Sequence, residues 1–304
     1  MMKFGLIVPT LNAGNQWRNW LDAFNEQTCK PNKLLVIDSQ SNDQTVSLAK
    51  HYGFAVQVIT RSRFDHGGTR QFGLDCLDDV AVVVFLTQDA IFADVNSLNQ
   101  ILEPFYNSRV AAVCGRQLPR QEASSIEKHA RFYNYSSQSN VRSINDVSKF
   151  GLKTIFMSNS FAAYRVSALT DVGGFPENVI FGEDMYVAAK FLLAGYKIAY
   201  AADACVYHSH NYSLIQEMKR YFDMGVFHAR EPWIRQQFGT AENEGLKFVI
   251  SELRYLLRHA PWRIPEGMLR TMFRYAGFRL GLIDRHIPLN IKRKISMNPR
   301  YFKM

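Results

Sequence analysis

Residues 81–90, AVVVFLTQDA, decide how the rest of the chain is read. Six apolar residues run unbroken into Thr87, Gln88 and Asp89, the pattern of a strand buried on both faces that stops at a polar edge. In an open α/β sheet, ligands bind outside the carboxyl ends of the strands, so Asp89 is placed to meet a phosphate-bearing ligand or its metal. An Asp here also serves as the cap of a turn, and the decapeptide alone leaves both readings open.

The same alternation repeats on the amino-terminal side. Lys3–Val8 reads as a strand stopped by Pro9-Thr10, and Trp17, Trp20, Leu21 and Phe24 recur at helical spacing. Lys33–Asp38 (KLLVID) is a second strand ending on a carboxylate. The capping residues at 39–43 open a helix that closes at Gly53, and Ala55–Thr60 is a third strand. This βαβα order is that of a mainly parallel sheet flanked by helices. The loop RSRFDHGGTR at 61–70 sets Gly67-Gly68 ahead of a helix expected over Thr69–Leu77. The first amides of that helix would suit an anion beside Arg63, His66 and Arg70; a glycine turn with solvated arginines is the competing reading.

On the carboxyl-terminal side, Leu98, Ile101, Leu102 and Phe105 mark a helix and VAAVCG at 110–115 a strand. From Arg116 to Lys153 polar residues take over, with a helix near 126–135, as in a binding loop beside a sheet. After a strand at 160–165, Phe181-Gly182-Glu183-Asp184 opens a helix over Met185–Ala194. Acids in a first turn are favoured by the helix dipole whatever their function. Short strands at 197–200 and 204–207 lead into His208-Ser209-His210, a pair of metal ligands or a polar cap. Ser213–Ile234 reads as one amphipathic helix. Beyond it, arginines at 254, 258, 263, 270, 274 and 279 interleave with Leu253, Leu256, Leu257, Trp262, Met268, Leu269, Met272, Phe273 and Phe278. Such helices lie on anionic membranes, or pack as a helical hairpin with solvated arginines.

Composition bounds the classes. A chain of 304 residues, 47% apolar, holds one large α/β domain with an appendage, expected as residues 1–235 followed by a basic helical region at 236–304. The net charge of +9 resides in the tail, where residues 246–304 carry thirteen Lys and Arg against Glu252, Glu266 and Asp284. No nucleic-acid module accompanies that charge, so no nucleic-acid partner is expected. Cys29, Cys76, Cys114 and Cys205 lie far apart and read as buried free thiols of a reducing compartment. Neither a secretory signal nor a run of about eighteen apolar residues is present, which predicts a soluble or membrane-surface protein. No Gly-x-Gly-x-x-Gly follows the first strand, against a nicotinamide dehydrogenase. PTLNAGNQW lacks the glycine-rich basic loop a sugar-nucleotide pyrophosphorylase would carry there. A non-enzymatic glycan- or membrane-binding scaffold stays open.

Five motifs in order, Val8-Pro9-Thr10-Leu11-Asn12, Val36-Ile37-Asp38-Ser39-x-Ser41-x-Asp43, Phe64-x-His66-Gly67-Gly68-Thr69-Arg70, Thr87-Gln88-Asp89-Ala90 and Gly182-Glu183-Asp184, resemble the family 2 inverting glycosyltransferases with the GT-A fold. The HGGTR and TQDA versions are similar to the rhamnosyltransferase branch, which builds bacterial O-antigen and capsule polysaccharide. The resemblance covers about residues 4 to 230. It implies a dTDP-sugar donor, dTDP-β-L-rhamnose, and transfer to a sugar hydroxyl of a lipid-linked or polysaccharide acceptor. Pro9, Thr10, Asn12, Asp38 and Ser41 would line the nucleoside, with Asp38 on the pyrimidine ring, and Arg63, His66, Gly67, Gly68, Arg70, Gln88 and Asp89 would complete the donor site. Asp89 stands where the family's metal-binding Asp-x-Asp ends, and Gln88 replaces an acid. His208 and His210 resemble late metal-contacting histidines, for Mg²⁺ or Mn²⁺. Asp184 resembles the family's base, oriented by Glu183 or with Glu183 on the acceptor. An ordinary aspartate pKa near ~3.9 would keep Asp184 ionised at neutral pH. Arg131, Tyr133, Asn134 and Tyr135 are the expected acceptor wall. The resemblance and the basic tail together imply an enzyme peripheral on the inner face of the bacterial cytoplasmic membrane, and the tail's exposed aromatic helices would suit a homodimer.

Overall fold

The quoted decapeptide supplies the sheet's innermost strand because nothing in Val82–Leu86 needs water. In the computed structural model, which describes residues 2–240 and 242–302, this strand, β4, is buried at all five positions. The others are β1 (Phe4–Thr10), β2 (Lys33–Asp38), β3 (Ala55–Val58), β5 (Ile91–Phe92), β6 (Val110–Leu118), β7 (Asn140–Arg142), β8 (Phe161–Arg165) and β9 (Lys197–Tyr207). They form one sheet in the order β3-β2-β1-β4-β8-β6-β9-β5, with β7 paired to β9. Strands β3, β2, β1 and β4 are mutually parallel, β8 runs antiparallel between β4 and β6, and β9 is parallel to β6. The expected parallel half is therefore present, joined to a mixed half.

Two expectations about strands change. Pro9 and Thr10 do not stop β1 but pair with Ile37 and Asp38, carrying the strand as far as the β2 carboxylate. The two short strands expected at 197–207 are one strand, β9, whose register against β6 shifts between Gly115 and Arg116.

The chain divides into two compact units. The first runs to Leu118 and adds Tyr135–Glu177 and Glu183–His208; the second holds Pro119–Asn134, Asn178–Gly182 and the residues from Ser209 onward. Helices α1 (Gln16–Asn25), α2 (Thr45–His51), α3 (His66–Asp75) and α4 (Ser97–Leu102) belong to the first unit, and α5 (Ser125–Asn134) to the second. Helices α6 (Val147–Phe150), α7 (Val166–Asp171) and α8 (Glu183–Leu193) return to the first. The core of the first unit is built from β1, β4 and β6 with the predicted face of α1, whose Trp17 and Trp20 are fully buried and stacked at 4.8 Å. Burying one such large apolar side chain contributes roughly 1.5–3 kcal/mol. Cys114 is buried, Cys29 and Cys205 are half-buried, and Cys76 is exposed, against the expectation of four buried thiols; all are free.

The second unit shows why the division does not fall at residue 235. Its remaining helices are α9 (Leu214–Arg230), α10 (Pro232–Phe238), α11 (Glu242–His259), α12 (Ile264–Leu282) and α13 (Leu289–Ile295). Pro232 has no amide to continue α9, so the single helix expected over 213–234 becomes two. Helices α9 and α12 meet backbone to backbone. A Cβ at Gly277 would lie 2.2 Å from the Met218 carbonyl oxygen, and one at Gly281 2.2 Å from that of Phe222. Arg270 and Arg274 turn inward onto Glu217 at 3.0 Å, and Arg274 also reaches Glu252. Asp223 of α9 accepts from the Ser296 hydroxyl and the Met297 and Asn298 amides. The tail is thus the structural partner of α9, and Arg270 and Arg274 leave the expected solvated stripe. What remains outside is apolar: Leu246, Ile250, Leu253 and Leu257 on α11, then Trp262, then Met268, Met272 and Tyr275 on α12 are all exposed.

Candidate active site

The carboxyl ends of β1, β2 and β4 carry three loops tied together by side-chain hydrogen bonds. Asp38, at the end of β2, is 1% exposed. Its Oδ1 accepts from the Thr10 hydroxyl at 2.9 Å and the Ser41 hydroxyl at 2.6 Å, and its Oδ2 from the Ser41 amide at 2.8 Å. Ser41 Oγ in turn accepts from the Asn12 amide at 2.7 Å, while Asn12, held at φ +46°, accepts from the Asn42 amide. Asp38 therefore faces into the loops and shapes them. Asn tolerates this left-handed backbone better than most residues.

An Asp-x-Asp that ends at Asp89 begins at residue 87, so the missing acid is at Thr87 and Gln88, its middle residue, has a task of its own. Its Oε1 accepts from the Leu11 amide at 2.8 Å and its Nε2 donates to the Leu11 carbonyl at 3.1 Å. Only a carboxamide can do both, since a carboxylate has no proton to give. Gln88 thus clamps the β1 and β4 loops together.

Asp89, one residue on, lies beside the end of β9. Its Oδ2 is 3.4 Å from His208 Nε2, with Asp89 about one third exposed and His208 buried. The β6–β9 register brings Leu118 opposite Tyr207, and there the His208 amide donates to the Leu118 carbonyl. His208 Nδ1 lies 2.8 Å from Gln117 Oε1, and Gln117 Nε2 donates to Ser158 Oγ at 2.9 Å. The amide oxygen can only accept, so Nδ1 carries a proton and Nε2 is the ring nitrogen turned toward the Asp89 carboxylate. A carboxylate oxygen and an imidazole nitrogen at that distance are ligand types that could share a divalent cation, with Gln117 orienting the imidazole as outer partners of metal-bound histidines do. His210 follows two residues later in the chain, at the start of the second unit.

The pair Glu183-Asp184 begins α8, and the segment just ahead of β8 holds it. Asn159 donates its amide to Asp184 Oδ2 at 3.1 Å and its side-chain Nδ2 to Glu183 Oε1 at 2.9 Å, and accepts from the Tyr164 hydroxyl at 2.6 Å. Because Ser158 is bonded to Gln117, a continuous chain of contacts runs from Asp184 through residues 158–159, Gln117 and His208 to Asp89. Antiparallel pairing of Leu86 with Phe161 brings the end of β4 and the start of β8 to the same edge.

The two acids have opposite electrostatic fates. Burial alone would push Glu183 up, but the Arg70 guanidinium at 3.0 Å, the nearby His66 and the Asn159 amide bring its pKa below the ordinary value. Asp184 is pushed up to about 7, by burial first and then by the Glu183 charge, against the two amides that bond it. It is not the ordinary carboxylate the sequence suggested. Glu183 is nearly inaccessible, its carboxylate engaged by Arg70 and Asn159, which suits the expected role of orienting neighbour.

Other expected residues have different tasks. Arg70 is buried, donates to the His66 carbonyl at 2.8 Å and pairs with Glu183, so it is not turned toward a donor phosphate. Gly67 and Gly68 lie inside the first turn of α3 rather than ahead of it. The Gly68 amide is taken by Asp65 Oδ1 at 2.6 Å, and a Cβ at Gly67 would fall 1.9 Å from the Pro176 carbonyl oxygen. Gly67 thus allows α3 to approach the 173–176 turn, and the Gly68 amide is not open to an anion. Arg63 is exposed, and His66 sits edge-on to Phe64. The acceptor wall dissolves: Arg131 pairs with Glu127, Tyr133 packs on His129 and Phe248, Asn134 donates to the Ala130 carbonyl, and Tyr135 is buried on Phe156. Gln117, Ser158 and Asn159 were missed. The polar run Ser158-Asn159-Ser160 immediately before an apolar strand was the available signal.

A parallel half-sheet with a carboxylate and histidine at one strand end, and a buried acid pair at the same edge, defines a glycosyltransferase of the GT-A fold. Comparison with known proteins gives the family. The glycosyl transferase family 2 model matches residues 6–173, and the chain belongs to that family. It is 50% identical over 303 residues to the O-antigen chain rhamnosyltransferase WbaN of Salmonella anatum, covering 99% of this chain and 96% of the relative. It is 49% identical to the O-antigen chain rhamnosyltransferase RfbN of Salmonella typhimurium over the same shares. Among solved structures, the mannosyltransferase PcManGT of Pyrobaculum calidifontis, in complex with GDP-Man and Mn²⁺, superposes with a TM-score of 0.63 at 17% identity, over 93% of this chain and 88% of that one. TarS 1-349 of S. aureus in complex with UDP-GlcNAc gives 0.54 at 15% identity, over 93% and 91%.

Proposed function

We propose that this enzyme transfers L-rhamnose from dTDP-β-L-rhamnose, with inversion, to a sugar hydroxyl of a lipid-linked or polysaccharide acceptor in O-antigen assembly. The near full-length identity to two O-antigen chain rhamnosyltransferases supports the sugar and the setting. The raised, partly accessible Asp184 supports the chemistry and is the observation that carries the reading. In this reading the acceptor oxygen attacks the anomeric carbon as Asp184 takes its proton. The bond from that carbon to the diphosphate oxygen breaks, and dTDP leaves with the electron pair. Glu183, locked between Arg70 and Asn159, raises the basicity of Asp184 without competing for the proton. Thr10, Asn12 and Ser41 hold the nucleoside loop in shape through Asp38, and Gln88 keeps that loop against Asp89.

Asp89 and His208 would hold Mg²⁺ or Mn²⁺, which would supply positive charge for the departing diphosphate. In the second unit, a cavity of about 340 Å³ lined in part by Arg120, Glu122, His210, Tyr212 and Gln216 is the candidate acceptor site, since sugars call for hydrogen bonds and an aromatic face. The exposed apolar rows of α11 and α12, with Arg254, Arg258 and Arg279 beside them, support seating on an anionic membrane surface. Among the described residues no helix is long and apolar enough to cross a membrane. The test is Asp184→Asn assayed with dTDP-rhamnose and a GlcNAc-diphospho-lipid. Loss of transfer with dTDP affinity retained supports the assignment. A large loss of dTDP affinity moves Asp184 into the donor site, and no transfer by the parent enzyme across many acceptors favours the scaffold reading.

A further inference from the structure

Residues 172–182 are the loop that joins α7 to α8, and its last five, Asn178–Gly182, belong to the second unit, whereas Glu183 and Asp184 belong to the first. One peptide bond therefore links a segment of the helical unit to the acid pair. Asn178 at φ +58° and Gly182 at φ +74° put both ends of the segment in the left-handed region, so its shape has to be held by its neighbours. Three contacts within the second unit do this. Ile180 is 2% exposed, so its carbonyl has no water to turn to, and Asn298 Nδ2 donates to it at 3.2 Å. The Arg220 guanidinium of α9 lies 5.2 Å from the centre of the Phe181 ring. Gly182 packs on the Phe227 ring, which a Cβ there would meet at 3.3 Å. Asn298 is itself fixed: its Nδ2 and its amide both donate to Asp223 Oδ2 at 3.2 Å, and the amide also reaches Ser296 Oγ at 2.8 Å. A buried carboxylate of α9 thus aims a side chain of the tail at a loop 118 residues away in the chain.

We propose that Asn298 is a positioning residue for the transfer reaction: oriented by Asp223, its carboxamide holds the 178–182 segment and so sets where α8 begins and where the Asp184 carboxylate stands. The inference rests on the reading of Asp184 as the base. Asn159 bonds both acids through their carboxylates, but their backbone follows the segment that precedes them. A shift at Ile180 is passed along the chain into the first turn of α8, with no side-chain contact needed. Misplacing a reacting group by about 1 Å costs on the order of a hundredfold in rate, and losing one of three ties should cost less, on the order of tenfold. The loops at residues 10–12, 38–41 and 88 are tied to one another without Asn298, so nucleotide affinity should not follow.

The experiment uses the full chain, with kcat, dTDP affinity by calorimetry, the pH profile of kcat/KM and the melting temperature measured on each variant. Asn298→Ala removes the bond to Ile180 and keeps the backbone ties to Asp223, so it should fold, lose on the order of tenfold in kcat and bind dTDP as the parent does. Burial comes first among the causes that raise Asp184, so a loosened segment that admits water should also move the acidic limb to lower pH, which a loss of folded protein does not do. Asn298→Ser, polar but too short to reach the carbonyl, should show the same split, and Asn298→Gln, which keeps the carboxamide, should recover part of kcat. Arg293→Ala is the control. It removes a tail bond to the Phe302 carbonyl and should lower the melting temperature with kcat unchanged. Unchanged kcat in Asn298→Ala and Asn298→Ser overturns the inference, as does a loss that Arg293→Ala matches at equal melting temperature or a parallel loss of dTDP affinity. Asp184→Asn separates the two failures. If it abolishes transfer while Asn298→Ala does not slow it, only the role of Asn298 falls; if it transfers as the parent does, the reading of Asp184 as base falls and takes this inference with it.

Discussion

A pH profile tests the acid pair directly. Asp184 with a pKa near about 7 is half protonated in the free enzyme at neutral pH, and only its ionised form can accept the acceptor's proton. One unit below that value about a tenth of the enzyme carries the base, so kcat/KM at pH 6 should be roughly tenfold below its alkaline plateau and about a hundredfold below at pH 5. Burial comes first and the Glu183 charge second among the causes of the raised value. Glu183→Gln removes the second and leaves Arg70 unbalanced, so the acidic limb should move to lower pH even if the plateau falls. Stability responds with a defined sign. A carboxyl raised in the folded state favours folding below its unfolded pKa and costs stability as pH rises through the folded value. Relative to the parent, Asp184→Asn should therefore gain thermal stability between pH 4 and pH 8. The assay is initial-rate kcat/KM from pH 5 to 8.5 with thermal melts alongside. A flat profile, or an acidic limb that ignores Glu183→Gln, would refute the assignment of Asp184 as base and its coupling to Glu183.

Other outcomes follow from the same geometry. Gln88→Glu, which cannot donate to the Leu11 carbonyl, should cost about 0.5–1.5 kcal/mol of loop stability and raise the donor KM several-fold, and Gln88→Asp, shorter and equally unable to donate, should do no better. Calorimetric titration with dTDP checks both, and improved donor binding by Gln88→Asp would show that the clamp is unimportant. Asp89→Ala should abolish any gain in dTDP affinity on adding Mn²⁺ or Mg²⁺; indifference of the parent enzyme to EDTA would remove the cation from the scheme. Trp262→Gln/Met268→Gln/Met272→Gln should release the protein from anionic vesicles without altering its melting temperature, because these side chains pack on little of the protein. Retained flotation would return the apolar rows to contact with a second copy, which sedimentation would detect.

What could be read along the chain was whatever has a local cause. Val82–Leu86 is buried because five successive apolar residues admit no other place, and Lys33–Asp38 and the Trp17, Trp20, Leu21 and Phe24 face of α1 follow from periodicity in the same way. Asp89 was legible because it ends a buried strand, and Asp184 because Gly182-Glu183-Asp184 resembles the family's motif, an acid in a helix's first turn being unremarkable by itself. The partners of those residues lay beyond any local signal. His208 meets Asp89 only through the β6–β9 register, and Asn159 reaches Glu183 and Asp184 across 24 and 25 residues. Arg70 and Arg274 look alike in sequence to solvated arginines, yet each is buried against a carboxylate more than fifty residues away. The protonation of Asp184 was likewise out of reach, because a pKa is set by burial and neighbouring charge rather than by residue type. By itself the sequence determined the sheet, its polar edge and the order of the acids. Only the tertiary structure decided which of those acids keeps its proton near neutral pH, because desolvation and Coulomb energy depend on distances through space and not on positions along the chain.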